Sequence, residues 1–198
     1  MTDLNLDRFD SYLGRTRMDR KQYQYEGVKW IVNNESRENP REGVRGGIIA
    51  DEMGLGKTIM MIGAMLCNFK RKTLIVVPPV LVDQWYSQIY RTTGHKAIVY
   101  HGCQKKRVTL ETLTTATIVI TTYGAITMTR KQLKLNVVSL LHDVAWDRVV
   151  CDEAHHLRNK NTTRFISVKK LATKIRWLVS GTPIQNTKKD LYSLCSIL

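Results

Sequence analysis

Residues 49–58 read Ile49-Ala50-Asp51-Glu52-Met53-Gly54-Leu55-Gly56-Lys57-Thr58. Two glycines flank Leu55, and a Lys-Thr pair follows at once. Phosphate binding needs backbone N–H groups turned inward, and glycine permits that turn. It needs a cation for the outer phosphate oxygens, which Lys57 supplies. It needs a hydroxyl beside Mg²⁺, which Thr58 supplies. The short apolar run Gly47-Ile48-Ile49-Ala50 predicts a strand leading in. Residues 59–69, rich in Met, Ala and Leu, predict a helix leading out, its positive end aimed at the phosphates. One position departs from the general pattern: Asp51 stands where such loops carry a further glycine. Taken alone, the segment also fits an ordinary glycine turn with a surface lysine.

Working outward, further short apolar runs recur at 73–77, 97–100, 117–121, 148–151 and 176–179. They lack strict alternation, as strands buried on both faces do. Stretches compatible with helices lie between them, notably 80–92 and 105–114. A helix is also predicted over 22–33, with Tyr25, Val28 and Trp30 among its apolar positions. Strands separated by helices predict a three-layer α/β domain around a mostly parallel sheet. Residues 35–45 are polar, carry Pro40 and Gly43, and read as a loop. Residues 1–19 read as a loosely held N-terminal arm, and 20–198 as one domain.

A phosphate loop calls for an acidic residue at the end of another strand. Residues 148–156, Arg-Val-Val-Cys-Asp-Glu-Ala-His-His, provide it. Asp152 is placed to hold Mg²⁺ directly or through water, and Glu153 to orient or deprotonate an attacking water. His155 is a candidate hydrogen-bonding sensor. An isolated surface pair of acids is the plainer alternative. Ser180-Gly181-Thr182-Pro183 follows the apolar run Trp177-Leu178-Val179. Its hydroxyls either bridge to Asp152 or His155, or form a simple turn.

The 198 residues are 43% hydrophobic and 24% charged, the composition of a folded domain. Lys and Arg number 31 against 17 Asp and Glu, a formal charge of +14 that favours a polyanionic partner. Cys67, Cys103, Cys151 and Cys195 are widely spaced, with no Cys-x-x-Cys pair. Three sit among apolar neighbours and read as core thiols of a reduced compartment. A zinc site using Cys151 with His155 or His156 is the alternative. The start, Met1-Thr2-Asp3, carries no apolar signal segment, and no apolar run approaches 18 residues. The chain therefore reads as intracellular.

These motifs resemble the first motor lobe of superfamily 2 helicase-like ATPases, and most closely the Swi/Snf branch of DNA translocases. Residues 49–58 are similar to that branch's phosphate loop, where Asp51 is usual. Tyr23-Gln24-Tyr25-Glu26-Gly27 looks like its upstream glutamine motif, and Pro78-Pro79 with Gln84-Trp85 like its first strand-contacting motif. Thr121-Thr122-Tyr123 resembles the next, Asp152-Glu153-Ala154-His155 the Walker B box, and Ser180 to Asn186 the coupling motif. The stretch around Val99-Tyr100-His101-Gly102 fits as well. Six motifs in order cover nearly the whole chain.

The resemblance implies a RecA-like P-loop fold with ATP and Mg²⁺ as cofactors. Gln24 would read the adenine, while Met53, Gly54, Leu55, Gly56, Lys57 and Thr58 hold nucleotide. Thr58 and Asp152 would hold the metal; Lys57, Asp152, Glu153 and His155 would be catalytic. Ser180, Gly181 and Thr182 would couple hydrolysis to movement. It implies duplex DNA as partner, bound through its backbone, and a location in the nucleus or a viral DNA compartment. It also implies a second RecA-like lobe, absent from this chain, that brings the arginine finger. The isolated lobe would then bind nucleotide weakly and hydrolyse it poorly.

Nine Lys or Arg residues and no acid lie between 157 and 189, and two further basic clusters are Lys105-Lys106-Arg107 and Lys70-Arg71-Lys72. Such clusters are either a solvated face or a phosphate-binding track. Pro79, Leu81, Lys105, Lys106, Arg107, Thr121, Thr122, Arg158 and Lys160 are the expected nucleic-acid contacts. Two rival functions stay open at this point: a strand-separating DNA or RNA helicase, and a catalytically inactive nucleic-acid-binding scaffold. Ala154-His155 and Met53-Gly54-Leu55 argue against the RNA type. The presence of Lys57, Thr58, Asp152 and Glu153 argues against the scaffold.

Overall fold

The computed structural model describes residues 6–40, 43–135, 139–185 and 187–198. Six strands form one sheet: β1 (Arg45–Ile49), β2 (Thr73–Val77), β3 (Ile98–Tyr100), β4 (Ile118–Thr122), β5 (Trp146–Asp152) and β6 (Thr173–Val179). Their spatial order is β1-β6-β5-β2-β4-β3, and every neighbouring pair is parallel. β5 and β6 start earlier than their apolar runs suggest, because Trp146 pairs with Thr173 and lengthens the ladder.

Alternation along each strand sends side chains to two separate cores. Ile75 and Val77 of β2, with Trp177 and Val179 of β6, face one side. That side is covered by α1 (Asp7–Thr16), α2 (Gln22–Ser36), α3 (Lys57–Cys67) and α4 (Val82–Thr93). Leu74 and Val76 of β2, with Leu178 of β6, face the other. There the cover is α5 (Leu110–Thr115), α6 (Tyr123–Ile126), α8 (Thr163–Lys169) and α9 (Lys188–Cys195). The short α7 (Arg130–Lys134) lies between α6 and β5 in sequence. The three-layer α/β fold with a parallel sheet is therefore as expected.

The N-terminal segment differs from the loose arm expected there. Residues 1–5 lie outside the described residues, but 7–16 form α1, whose Phe9, Tyr12 and Leu13 are buried. Phe9 reaches α3 because Gly63 leaves room; a Cβ there would lie 2.4 Å from the Phe9 ring. Burying Phe9 and Leu13 contributes about 1.5–3 kcal/mol each. The stretch 105–114, expected as one helix, is divided. A 3-10 turn spans Gln104–Arg107, and extended Thr109 then caps α5, its Oγ1 accepting from Thr112 N at 3.2 Å. On α2 the core is met by Val28, Ile31 and Val32, while Trp30 is 44% exposed.

A parallel sheet delivers every strand's carboxyl end to one edge, where ligands of such folds bind. The strand order sorts that edge into two halves. The loops after β1, β6 and β5 lie on one side, and those after β2, β4 and β3 on the other.

Candidate nucleotide and nucleic-acid site

The first half of the edge collects the phosphate loop, Ser180–Thr182 and Asp152–Glu153. β1 pairs with β6, so Ser180 N donates to Ile49 O at 3.0 Å and the two segments lie side by side. The loop turns through Gly54 at φ 86° and enters α3 at Gly56, φ 80°. Position 56 favours glycine: its φ of 80° is left-handed, and a Cβ would also lie 2.4 Å from Gln24 Nε2, displacing that amide. Gln24 is 4% exposed, and its Nε2 donates to Leu55 O at 3.1 Å. It braces the loop from behind. Lys57 Nζ donates to the carbonyl oxygens of Asp51 and Glu52, at 2.8 Å each. Met53 is exposed and packs over Gly181.

Asp152, at the end of β5, is fixed from three directions. Trp85 Nε1 on α4 donates to Oδ2 at 2.8 Å. The amide of Glu153 donates to Oδ1 at 2.9 Å. The Tyr123 hydroxyl donates to the Asp152 carbonyl at 2.7 Å. Burial pushes the Asp152 carboxyl above the usual carboxylate range, while the bonds from Trp85 and the Glu153 amide, and the charge of Lys57, oppose that rise. Burial likewise drives the Tyr123 phenol well above its ordinary value.

Glu153 holds a left-handed backbone, φ 49° and ψ 49°, unusual for a residue with a side chain. Its Oε2 lies 2.9 Å from His155 Nδ1, a charge-pair distance without hydrogen-bond alignment. The His156 ring lies tilted against that of His155, 4.5 Å between centroids, and burial, then the neighbouring His155 and Arg164, lowers its pKa. Lys57, Thr58, Asp152 and Glu153 line one cleft of about 300 Å³. Its lining also includes Gln84 and Gln88 of α4; Gln84 belongs to the motif expected to contact a strand, and Gln88 was not singled out by any motif. The carboxylate of Asp152 and the hydroxyl of Thr58 are hard oxygen donors sharing this cleft, a set that fits Mg²⁺. Ser180 is fully buried, and its Oγ accepts from Thr182 N at 3.2 Å. Asn186, the end of the expected coupling motif, lies outside the described residues.

The expected nucleic-acid contacts give a mixed result, and two of them, Arg158 and Lys160, follow β5 on the first half of the edge. Pro79 is exposed and Leu81 half-buried in a 3-10 turn directly after β2. Lys105, Lys106 and Arg107 are exposed in the turn after β3, and Lys160 is exposed after β5. Thr121 and Thr122, in contrast, are 0% and 1% exposed. Thr121 Oγ1 donates to Tyr100 O at 2.8 Å, while Thr122 Oγ1 meets His101 Nδ1 at 3.2 Å and caps Ala125 N at 3.3 Å. Their hydroxyls hold β3 and α6 in place, which corrects the expectation that they meet a strand. Arg158 is also committed internally. Its Nε donates to His155 O at 2.8 Å and its Nη1 to Gln185 Oε1, so it ties the acidic box to the segment after β6.

The nine-residue basic run is not one track. Arg176 is 8% exposed and donates to Ile197 O and to Leu171 O, the latter at 2.9 Å. Arg164 lies over the Tyr123 ring at 5.8 Å. Lys169, Lys170 and Lys174 fall at the end of α8 and the start of β6, on the opposite edge of the sheet. The thiols also differ from the three core cysteines expected: Cys151 is buried, Cys67 half-buried, and Cys103 and Cys195 exposed. Among the described residues no group of three or more His, Cys, Asp or Glu is placed to hold a metal.

A parallel-sheet fold with these loops on its carboxyl edge defines the class: a helicase-like P-loop ATPase core of superfamily 2. Residues 23–198 match the SNF2-related domain. The chain belongs to that family and forms its first, N-terminal motor lobe. A solved SWI2/SNF2 ATPase core from Sulfolobus solfataricus, in complex with double-stranded DNA, superposes with a TM-score of 0.74 at 28% identity. That match covers 91% of this chain and 36% of the other. The DNA repair protein rad8 of Schizosaccharomyces pombe is 34% identical over 182 residues, 78% of this chain and 16% of the relative. Transcription termination factor 2 of Drosophila melanogaster is 32% identical over 197 residues, 78% of this chain and 18% of the relative. The chain thus spans less than a fifth of these curated relatives.

Proposed function

We propose that this lobe binds Mg²⁺-ATP and serves an ATP-driven motor that moves along duplex DNA. The observation that carries the reading is the convergence of Lys57, Thr58, Asp152 and Glu153 on one cleft, beside loops that expose Pro79 and Lys105–Arg107. In this reading the inward backbone amides of 53–58 hold the phosphates, and Lys57 leaves the carbonyls of Asp51 and Glu52 for the outer oxygens. Thr58 and Asp152 hold Mg²⁺, which supplies charge neutralisation at the phosphates when bound. Glu153 accepts a proton from the attacking water, with His155 beside it. Gln24, bracing Leu55, offers its remaining amide valence to the adenine. Ser180–Thr182 couple the two halves of the edge, and a second RecA-like lobe brings the arginine that completes the transition-state charge.

DNA is bound through its backbone by Pro79, Leu81, the basic turn 105–107 and Lys160, without base specificity. Such a role places the protein in an intracellular DNA compartment. The family match and a similar ATPase core solved on double-stranded DNA support duplex DNA over RNA as partner. The test is equilibrium binding of Mg²⁺-ATP and of a random-sequence duplex to this chain. Nucleotide binding lost in Lys57→Ala and duplex binding preferred over single-stranded RNA are expected. Equal nucleotide binding by Lys57→Ala, or preference for the RNA, would overturn the reading.

A further inference from the structure

Asp152 receives one donor from each of the segments that follow β2 and β4, two of the three strands on the nucleic-acid half of the edge. Trp85 sits one helical turn into α4, and α4 starts directly after the exposed turn Pro79–Leu81 that follows β2. Its indole is 1% exposed, and its N–H ends on Asp152 Oδ2 at 2.8 Å. Tyr123 is the first residue after β4, and its hydroxyl ends on the Asp152 carbonyl at 2.7 Å. The residue before it, Thr122, meets His101 Nδ1 at 3.2 Å. The carbonyl of His101 in turn accepts from the amide of Lys105, the first of the exposed basic triplet, at 3.4 Å. The segments after β2 and β4 are thus each joined to Asp152 by one buried aromatic donor, and the turn after β3 is linked to the second of them through His101 and Thr122.

We propose that Trp85 and Tyr123 are positioning residues that orient Asp152 toward Mg²⁺ and transmit occupancy of the loops after β2 and β4 to the metal. The proposal rests on the reading of Asp152 as a metal ligand. A carboxylate that holds a metal is oriented by its outer hydrogen bonds, and loss of such a partner typically lowers metal affinity by about 10–100-fold. Trp85 fixes the side chain and Tyr123 the backbone, so the two act on different degrees of freedom of one residue. Binding at the loops and metal binding at Asp152 then change each other's affinity by the same factor.

The test measures ATP affinity of this chain with Mg²⁺ and with EDTA, by calorimetry, in wild type, Trp85→Phe and Tyr123→Phe. Tyr123→Phe keeps the ring and deletes one donor. Trp85→Phe keeps an aromatic side chain, deletes the indole N–H and also loses volume, a loss that the control shares. Trp146→Phe is the control: its indole N–H is equally buried and donates to Leu141 O at 2.8 Å, away from the cleft. In Trp85→Phe the gain in affinity conferred by Mg²⁺ is expected to fall by about tenfold, with affinity in EDTA unchanged. Trp146→Phe leaves both unchanged. In Tyr123→Phe, the factor by which a random-sequence duplex shifts Mg²⁺-ATP affinity is expected to approach one. An unchanged Mg²⁺ gain in Trp85→Phe, or an equal loss with and without Mg²⁺, would overturn the positioning role; an unchanged duplex effect in Tyr123→Phe would overturn the transmission. Absence of any Mg²⁺ gain in wild type would instead locate the failure in the assignment of the metal site.

Discussion

The guanidinium of Arg148, in β5, and the carboxylate of Glu35, in the last turn of α2, form a pair sealed from solvent. Arg148 Nε donates to Glu35 Oε1 at 2.6 Å, its Nη2 meets Oε2, and both side chains are at most 1% exposed. Trp177 Nε1 donates to Oε1 at 2.8 Å, and Asn68 Nδ2 to Oε2 at 2.7 Å. Every oxygen lone-pair direction of the carboxylate is thereby engaged between two helices and two strands. Removing one partner leaves an uncompensated buried charge. Glu35→Ala is expected to cost about 3–5 kcal/mol, read as a fall in thermal midpoint of roughly 10 °C. Replacing both partners by apolar residues, Glu35→Leu with Arg148→Met, should recover much of that loss. If the single variant melts with wild type, the pair is not holding α2 to the sheet.

Lys57 Nζ satisfies two loop carbonyls, and on the proposed reading it would exchange them for phosphate oxygens when nucleotide binds. Lys57→Ala removes those two bonds as well as the cation. Its Mg²⁺-ATP affinity should fall at least about tenfold, from the loss of a charge-assisted contact to phosphate. Faster amide exchange at 51–55 in the nucleotide-free variant should accompany it. Unchanged exchange there would mean that the lysine does not organise the loop.

The basic residues divide into those that face solvent and those that tie the fold together. Replacing Lys105, Lys106 and Arg107 together by Ala should weaken duplex binding about equally for any sequence. It should lower the slope of log affinity against log salt by up to roughly three. Arg158→Ala should leave that slope nearly unaltered, since its guanidinium is bound to His155 O and Gln185. A slope loss in Arg158→Ala equal to one phosphate contact would show that the arginine is released to meet DNA.

Thiol chemistry should follow burial. Desolvation raises Cys151 to about 12 and Cys67 to about 11. At pH 8 neither carries appreciable thiolate, and Cys151 is also inaccessible. Iodoacetamide on the native protein should label Cys103 and Cys195 first, Cys67 slowly and Cys151 only after unfolding, as read by peptide mass spectrometry. Early labelling of Cys151 would show that the end of β5 opens.

The strands were legible because buried parallel strands are apolar on both faces, as at 73–77, where all five residues of β2 are buried. The phosphate loop and acidic box were legible because their chemistry needs fixed residue types at fixed spacing. What burial rearranged was not legible. Thr121 and Thr122 have the composition of a surface contact, and it is the pairing of β4 with β2, and of Thr121 with β3, that covers them. α1 escaped because Phe9, Tyr12 and Leu13 lie among Asp, Arg and Ser, with the core stripe too narrow to stand out. Trp85 and Tyr123 sat inside recognised motifs, but their bonds to Asp152 cross 67 and 29 residues and leave no local signal.

The strand order has a consequence for how this chain is made. Among the described residues β1 pairs only with β6, whose last residue, Val179, is synthesised 130 residues after Ile49. On the ribosome, the strand that carries the phosphate loop must therefore wait, without its hydrogen-bonding neighbour, until nearly all of the lobe has emerged. The central and opposite strands β5, β2, β4 and β3 can pair before it. The proposed nucleotide cleft is then among the last parts of the lobe to assemble, and the unpaired β1 is an aggregation-exposed edge during translation.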